Sequence, residues 1–259
     1  MRKLISLDEN WTLSFPKGER LAEKVTLPHT WNAVDGMDGN GSYLRTTGVY
    51  RCTFLKPEQP LEGGRVYVEV LAAALAAVVK VNGTVAVTHE GGFSAFRADI
   101  TDLCKEGNNE MTIEVSNEDT PSMYPASADF TFYGGLYRGV NLISVPHTHF
   151  DLDYYGGSGI KVTPKPTEDG GATFEIESFV TNQEDCFTVM YSIEDACGCE
   201  VAAAVRPADD TAVTIYVPDA KLWSMDEPNL YTVVARLQKN NETYDEIHVN
   251  TGVRSYSVT

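Results

Sequence analysis

Short runs in which apolar and polar residues alternate recur along most of the chain. Examples are "GRVYVEV" (64–70), "MTIEV" (111–115), "TFEIESFV" (173–180) and "LYTVVARL" (230–237). A period of two places successive side chains on opposite faces, which is typical of half-buried β-strands. Turn-rich stretches such as "EDGG" and "PADD" separate the runs, and no long amphipathic helix is evident. The pattern predicts an all-β protein made of sandwiches.

Two further expectations concern residues 71–87. In "VKVNGTVAV" (79–87) two alternating runs flank Asn82-Gly83, which is a strong signal for a hairpin turn. The preceding "LAAALAAVVK" (71–80) has high helical propensity, but it runs directly between a strand and this hairpin. Because tertiary context overrides propensity, we interpret it as a buried strand lined with small residues.

The chain has 259 residues, more than a single core usually accommodates, so we expect two domains. The segment "VPHTHFD" (145–151) ends a first aromatic-rich block. We therefore place the domains at 1–147 and 148–259. The second block has the size and roughly the strand number of an immunoglobulin-like sandwich.

Charge and cysteine usage narrow the function. The formal charge of −17 argues against nucleic acid or an anionic membrane as partner. No run approaches the roughly 20 apolar residues of a membrane span, and "MRKLISLDENWTLSF" is a poor signal peptide. The five cysteines are scattered without zinc or redox spacing, so we expect reduced thiols in a cytoplasmic protein.

Known catalytic and cofactor motifs are absent: the sequence holds no GxSxG, P-loop, HExxH or GxGxxG. The pair His147 and His149 ("HTH") could lie on one strand face, but an HxH without a third ligand is more often a surface feature. No pair of carboxylates stands out among the 37 acidic residues. We expect neither a metal nor a cofactor.

The stretch "ADFTFYGGLYRGVNLISVP" (128–146) is unusual because four aromatic residues surround a Gly-Gly pair. Glycines inside a strand-like run often mark a bulge or a close approach by another group. With its neighbours the stretch forms an ordered series: "LPHTWN" (27–32), "TTGVYRCTF" (46–54), "VNG" (81–83), "HEGGFSAFRADIT" (89–101), "VSNED" (115–119), "ADFTFYGGLYRGVNL" (128–142), "LWSMDEPNLYTV" (222–233) and "TGVRSYSV" (251–258). This order resembles the N-terminal half of glycoside hydrolase family 2, the β-galactosidase and β-glucuronidase family.

The resemblance implies a galactose-binding-domain-like jelly roll followed by an immunoglobulin-like sandwich. In the family, a TIM barrel carrying two catalytic glutamates comes next, after a motif like "GVRSY". Here the sequence stops at Thr259, so we expect the barrel to be missing and this chain to be inactive alone. The substrate of the whole enzyme would be a β-galactoside or a β-glucuronide.

The resemblance also implies site residues. Asp129 would lie near the sugar subsite, and Asn40 in "DGMDGNGSY" (35–43) is the best candidate there for a second sugar contact. The segment that carries Asp129 would present four aromatic side chains to the barrel or the sugar: Phe130, Phe132, Tyr133 and Tyr137. In that segment Gly134 and Gly135 would allow a tight turn, and Arg138 would fix the loop. We expect residues 128–138 to form an exposed edge.

Alternatives remain for these residues. Asp129 could cap a turn, the aromatic side chains could pack in a core, and Trp31 is expected to be buried and to brace the sandwich. Gly139 departs from relatives that carry Asp after the Arg, which puts an Arg-Asp lock in doubt.

Three function classes are open. The favoured one is a non-catalytic part of a family 2 hydrolase that shapes the substrate subsite. The second is a free-standing carbohydrate-binding module, which millimolar or tighter glycan binding would distinguish. The third is a structural or homo-oligomeric assembly module, which sedimentation would test.

Overall fold

The computed structural model describes residues 1–35, 37, 42–58, 63–119, 131–184 and 186–256. Within these residues the chain is all-β, as predicted, and its helical content is one 3₁₀ turn at Thr101–Leu103. The structure divides into two compact units. The N-terminal unit comprises Lys3–Gln59 and Arg65–Ser144, and the C-terminal unit comprises Val145–Thr259 with Met1–Arg2 and Pro60–Gly64.

The N-terminal unit is built from the first ten strands. They are β1 (Lys3–Ser6), β2 (Trp11–Ser14), β3 (Glu23–Val25), β4 (Thr47–Leu55), β5 (Arg65–Val70), β6 (Ala76–Val81), β7 (Thr84–Glu90), β8 (Phe96–Asp99), β9 (Asn108–Ser116) and β10 (Val140–Val145). One sheet has the order β1-β10-β5-β8 and the other the order β3-β2-β4-β9-β6-β7. This is the jelly-roll sandwich that the sequence predicts.

The core of this unit lies between its two sheets. Alternate residues of β9 point into it: Met111, Ile113 and Val115 are fully buried. Facing residues of β5, such as Val66 and Val68, belong to the same apolar cluster. Burial of these inward-facing apolar side chains supplies the main driving force for the fold, because apolar burial is worth about 25 cal/mol per Å².

The C-terminal unit contains the remaining strands and a core of its own. They are β11 (His149–Phe150), β12 (Ile160–Pro166), β13 (Ala172–Ser178), β14 (Val180–Thr181), β15 (Thr188–Glu194), β16 (Glu200–Pro207), β17 (Ala212–Val217), β18 (Tyr231–Lys239) and β19 (Glu242–Thr251). The sheets have the orders β12-β13-β17 and β16-β15-β18-β19, with β11 and β14 forming a two-stranded ribbon. Phe174, Tyr191 and Val233 meet in the core between the larger sheets. The immunoglobulin-like sandwich is thus also confirmed.

The hairpin prediction is confirmed and the strand at 71–80 is confirmed in part. Val81 pairs with Thr84 across the turn, and both turn residues have positive φ, 50° for Asn82 and 84° for Gly83. Strand β6 begins only at Ala76. Residues 71–75 are irregular, so the strand prediction is wrong there; within them Ala74 forms an isolated β-bridge to Gly135.

All five cysteines are free thiols. Among the described residues, no helix is long and apolar enough to cross a membrane.

Candidate functional site

The described part of the aromatic stretch, residues 131–138, is mostly buried. Phe132 is 6% exposed and Leu136 is fully buried, and both glycines are buried as well. Only Tyr133, at 49% exposure, and Arg138 are open to solvent. The predicted exposed edge is therefore wrong for most of the described segment, because its side chains and backbone pack into the N-terminal unit.

The two glycines permit close backbone approach. A Cβ on Gly134 would lie 2.0 Å from Cζ2 of Trp31, well inside van der Waals contact. A Cβ on Gly135 would lie 2.5 Å from the carbonyl oxygen of His29, and the φ of Gly135 is +134°. These distances agree with the close approach that glycines inside a strand-like run often mark. Trp31 is 2% exposed, which confirms that it is a buried bracing residue.

The aromatic side chains pack mainly against their own unit. Phe132 contacts Ala74 and Leu75 in a small apolar cluster, and the guanidinium carbon of Arg45 lies 4.9 Å from its ring centroid. The Tyr137 hydroxyl donates a hydrogen bond to a backbone carbonyl, and burial raises the pKa of Tyr137. The rings of Phe132 and Tyr137 therefore agree with the alternative that these aromatic side chains pack within their own unit.

A mainly apolar cavity opens beside this cluster. It is lined by Ala74, Leu75, Phe93, Thr131, Phe132, Tyr133 and Tyr137. Such a lining suits a hydrocarbon or aromatic surface better than sugar hydroxyls, which require hydrogen-bonding partners.

Among the described residues, Arg138 makes one hydrogen bond rather than a bidentate pair, and its guanidinium carbon lies 5.8 Å from the ring centroid of Tyr137. Its Nη1 donates to the carbonyl oxygen of Phe93 at 3.0 Å. The position after it, Gly139, faces Asp8, whose carboxylate oxygen would lie 3.0 Å from a Cβ there. Asp8 accepts a hydrogen bond from the amide of Val140 at 3.0 Å. A carboxylate thus faces the position after Arg138 in space, but it belongs to Asp8, and it accepts a hydrogen bond from the backbone.

The side chain of Asn32 ties three loop segments together inside the unit. Its Oδ1 accepts from the amide of Gly134 at 2.7 Å. Its Nδ2 donates to Oδ2 of Asp35 at 2.8 Å and to the carbonyl of Leu44 at 2.9 Å. Because Asn32 is 1% exposed, these bonds form in a largely water-free environment and hold their partners in fixed positions.

Asn117 extends the same network from the end of β9. Its Nδ2 shares two hydrogens among three acceptors, which are the carbonyls of Phe132 at 3.0 Å and Leu44 at 3.1 Å and Oδ1 of Asn32 at 3.2 Å. Its Oδ1 accepts from the amide of Thr46 at 2.8 Å. We call Asn32 and Asn117 the amide pair; together they bind the described flanks of both predicted sugar-contacting loops.

Asp35 is the carboxylate nearest this pair, and it has a structural role. Burial opposes its ionisation, but hydrogen bonds from the amide of Leu44, from Asn32 and from Arg20 together lower the pKa of Asp35. Arg20 Nη2 lies 2.6 Å from its Oδ1. A carboxylate held ionised in this way can act neither as a proton donor nor, with its oxygens bonded, as a free nucleophile.

Sequence reasoning named some of these residues and missed others. Asp129, Phe130 and Asn40 lie outside the described residues, so their roles stay predictions. The amide pair was missed, although both members fall inside quoted motifs, "LPHTWN" and "VSNED".

The histidine pair does not assemble a metal site. His147 is exposed, whereas His149 is buried and its Nδ1 lies 2.9 Å from the carbonyl of Pro146. Within the described part of the chain no three potential metal ligands come together.

Comparisons with known proteins agree with this architecture. The model of "Glycosyl hydrolases family 2, sugar binding domain" matches residues 3–146, and that of "Glycosyl hydrolases family 2" matches residues 158–254. The two matches cover the two sandwiches.

Individual relatives are glucuronidases and galactosidases. The chain is 27% identical to a β-glucuronidase of Bacteroides fragilis over 98% of its own length and 38% of the relative. It is 27% identical to a β-galactosidase of Thermoanaerobacter pseudethanolicus over 96% of its length and 34% of the relative. A crystal structure of an FMN-binding β-glucuronidase from Faecalibacterium prausnitzii L2-6 is 83% identical, with a TM-score of 0.97, over 100% of this chain and 40% of that one.

Proposed function

The chain belongs to glycosyl hydrolase family 2, and on that premise we propose that it forms the sugar-binding and immunoglobulin-like part of an enzyme that hydrolyses β-glucuronides. The observation that carries the proposal is the match of both family models, in order, to both sandwiches. The chain spans 28% and 38% of the lengths of two curated relatives that it matches, so we assign the proposed activity to a longer protein that contains this chain.

The choice of glucuronide over galactoside is supported by the relative with 83% identity, which is a β-glucuronidase. Relatives near 27% identity include both activities. The proposed substrate contacts from this chain are Asp129 and Asn40, and the proposed domain boundary lies between residues 147 and 148. Five free thiols favour a reducing compartment, and we propose the cytoplasm.

The catalytic carboxylates are proposed to lie in a barrel domain that packs on this chain. Glycoside hydrolysis needs a proton donor and a second carboxylate about 5–10 Å apart in one site. The most buried carboxylates of the N-terminal unit have other roles: Asp35 pairs with Arg20, and Glu69 pairs with Arg97 at 2.7 Å. Assembly into a homo-oligomer remains a further proposal, to be tested by sedimentation.

The experiment is to express the longer protein that contains this chain and to compare nitrophenyl β-D-glucuronide with nitrophenyl β-D-galactoside. We expect a kcat/KM at least about 100-fold higher for the glucuronide, a difference of about 3 kcal/mol in transition-state binding. Preference for the galactoside would show that the proposed substrate is wrong. Absence of turnover of any β-glycoside would refute the proposed function.

We also propose that the longer protein binds FMN, as its 83% identical relative does. In the C-terminal unit a surface groove offers the indole of Trp223 to stack a flavin ring and the guanidinium of Arg254 to pair with a phosphate. The guanidinium carbon lies 4.8 Å from the indole centroid. At this distance the guanidinium covers one face of the indole, so it would have to move aside, toward the phosphate, for a flavin ring to stack on that face. Because glycoside hydrolysis needs no electron transfer, FMN would bind without taking part in it.

Titration of FMN with the chain tests this site. Stacking on Trp223 should quench flavin fluorescence, Arg254→Gln should weaken binding about tenfold or more through loss of a charge-assisted bond, and the exposed control Arg206→Gln should not. Binding by the longer protein but not by this chain would place the FMN site elsewhere.

A further inference from the structure

We propose that the amide pair, Asn32 and Asn117, positions the described flanks of the two segments that are predicted to contact substrate, and thereby sets the affinity of the enzyme for its glycoside. This inference rests on the proposed function and adds two positioning residues to it. Neither amide is expected to touch the sugar.

The first support is the topology of the hydrogen bonds. Leu44 and Thr46 lie just after the loop that carries Asn40, and both are bonded by Asn117. Phe132 and Gly134 lie just after the segment that carries Asp129, and they are bonded by Asn117 and Asn32 respectively. The direct bond between the two amides, 3.2 Å long, joins the two flanks into one network.

The second support is burial. Asn117 is fully buried and Asn32 is 1% exposed, so water cannot replace a lost partner at low cost. Each bonded backbone group is therefore held in one arrangement. A displacement of about 1 Å at a reacting or binding group can lower the rate by about 100-fold, so rigid flanks matter for a subsite built from loops.

The third support is a comparison with a second buried asparagine on β9, at the end of that strand opposite to Asn117. Asn109, near the start of β9, is 2% exposed. It also makes four side-chain hydrogen bonds: from the amide of Lys105 and Nδ2 of Asn82, and to the carbonyls of Lys105 and Gly107. The two amides are thus matched in burial and bonding, but only Asn117 holds the predicted substrate loops.

This match supplies the control. In the longer protein, Asn117→Ala and Asn109→Ala should lower the melting temperature by similar amounts, because each loses a buried amide with four hydrogen bonds. We expect kcat/KM for nitrophenyl β-D-glucuronide to fall about 10- to 100-fold in Asn117→Ala, mainly through a higher KM, and less than about threefold in Asn109→Ala. An equal loss of kcat/KM in the two variants would show that Asn117 has only a structural role, and it would overturn the inference.

A milder variant decides the question if Asn117→Ala does not fold. The Thr30 hydroxyl donates to the carbonyl of Gly134 at 2.8 Å and accepts from the amide of Asn32 at 3.2 Å. Thr30→Val keeps the shape and removes only these bonds, so KM should rise a few-fold (about 3- to 10-fold) in a protein that still folds. An unchanged KM would overturn the inference. A wild-type protein that hydrolyses no glycoside would instead refute the proposed function, and the inference with it.

Discussion

Gly134 lies so close to the indole of Trp31 that a side chain cannot be accommodated without moving a core residue. We predict that Gly134→Ala destabilises the protein by about 1–3 kcal/mol through overpacking, measured by urea denaturation. Gly92→Ala is the control, since its Cβ would meet the flexible end of Leu75 at 3.3 Å. That substitution should cost less than about 1 kcal/mol. An equal loss of unfolding free energy in the two variants would show that contact with Trp31 is not the reason for glycine at position 134.

The same residues show how far sequence alone reaches. A Gly-Gly pair among aromatic residues indicates a close approach, and that expectation is correct. The partner could not be predicted, because Trp31 comes from a segment distant in sequence. The prediction of an exposed edge failed for the same reason: Phe132 pairs with Leu75, and nothing near Phe132 in sequence indicates that neighbour.

His149 makes stability depend on pH. Burial lowers the pKa of its imidazole below the ordinary value, so the unfolded chain binds this proton more readily than the folded one. Stability from this residue is present above the unfolded pKa of about 6.5 and is lost as pH falls through the folded pKa. We predict a lower urea midpoint at pH 5 than at pH 7.5.

Two variants isolate this effect from that of the carboxylates. His149→Asn retains an amide donor near the position of Nδ1 and cannot be protonated, so its urea midpoint should depend less on pH. The exposed neighbour His147, changed to Asn, should leave the wild-type pH dependence intact. A His149→Asn protein with an unchanged slope would contradict the assignment.

At the scale of elements, the β6–β7 hairpin combines a local turn with a tertiary anchor. Gly83 has a φ of +84° with open space around its Cα, so Gly83→Ala should cost about 1 kcal/mol from backbone strain alone. The Asn82 side chain donates to Leu103 and Asn109 and accepts from the amide of Glu110. Asn82→Gly keeps the turn but loses these bonds, and should cost more, about 1–3 kcal/mol. The reverse order of losses in urea denaturation would refute this division.

Elements with clear alternation were predictable, and those without it were not. The runs at 64–70 and 111–115 alternate, and both are strands in which one face is fully buried. Residues 71–75 (Leu-Ala-Ala-Ala-Leu) are all apolar, so they show no alternation of apolar and polar positions. Their backbone is instead arranged by the bridge to Gly135, a contact that local pattern does not encode.

At the scale of the whole molecule, two units with separate cores follow from chain length and strand pattern, whereas the site does not. The family resemblance identifies the loops that carry Asn40 and Asp129, but it does not identify the amide pair. Hydrogen bonds between segments as distant as Asn32 and Gly134 become visible only once the sandwich is folded. Sequence therefore predicts which segments contact substrate, and the fold shows which side chains bond the described flanks of those segments.

The central claim is that this chain shapes a glycoside subsite and leaves the chemistry to a partner domain. The most direct test is turnover of nitrophenyl β-D-glucuronide by the purified chain alone, measured beside the longer protein that contains it. We predict turnover by the longer protein and none above background by the chain alone, since two carboxylates about 5–10 Å apart are required in one site. Turnover by the chain alone that survives purification, and is lost when one of its own carboxylates is substituted, would contradict the claim.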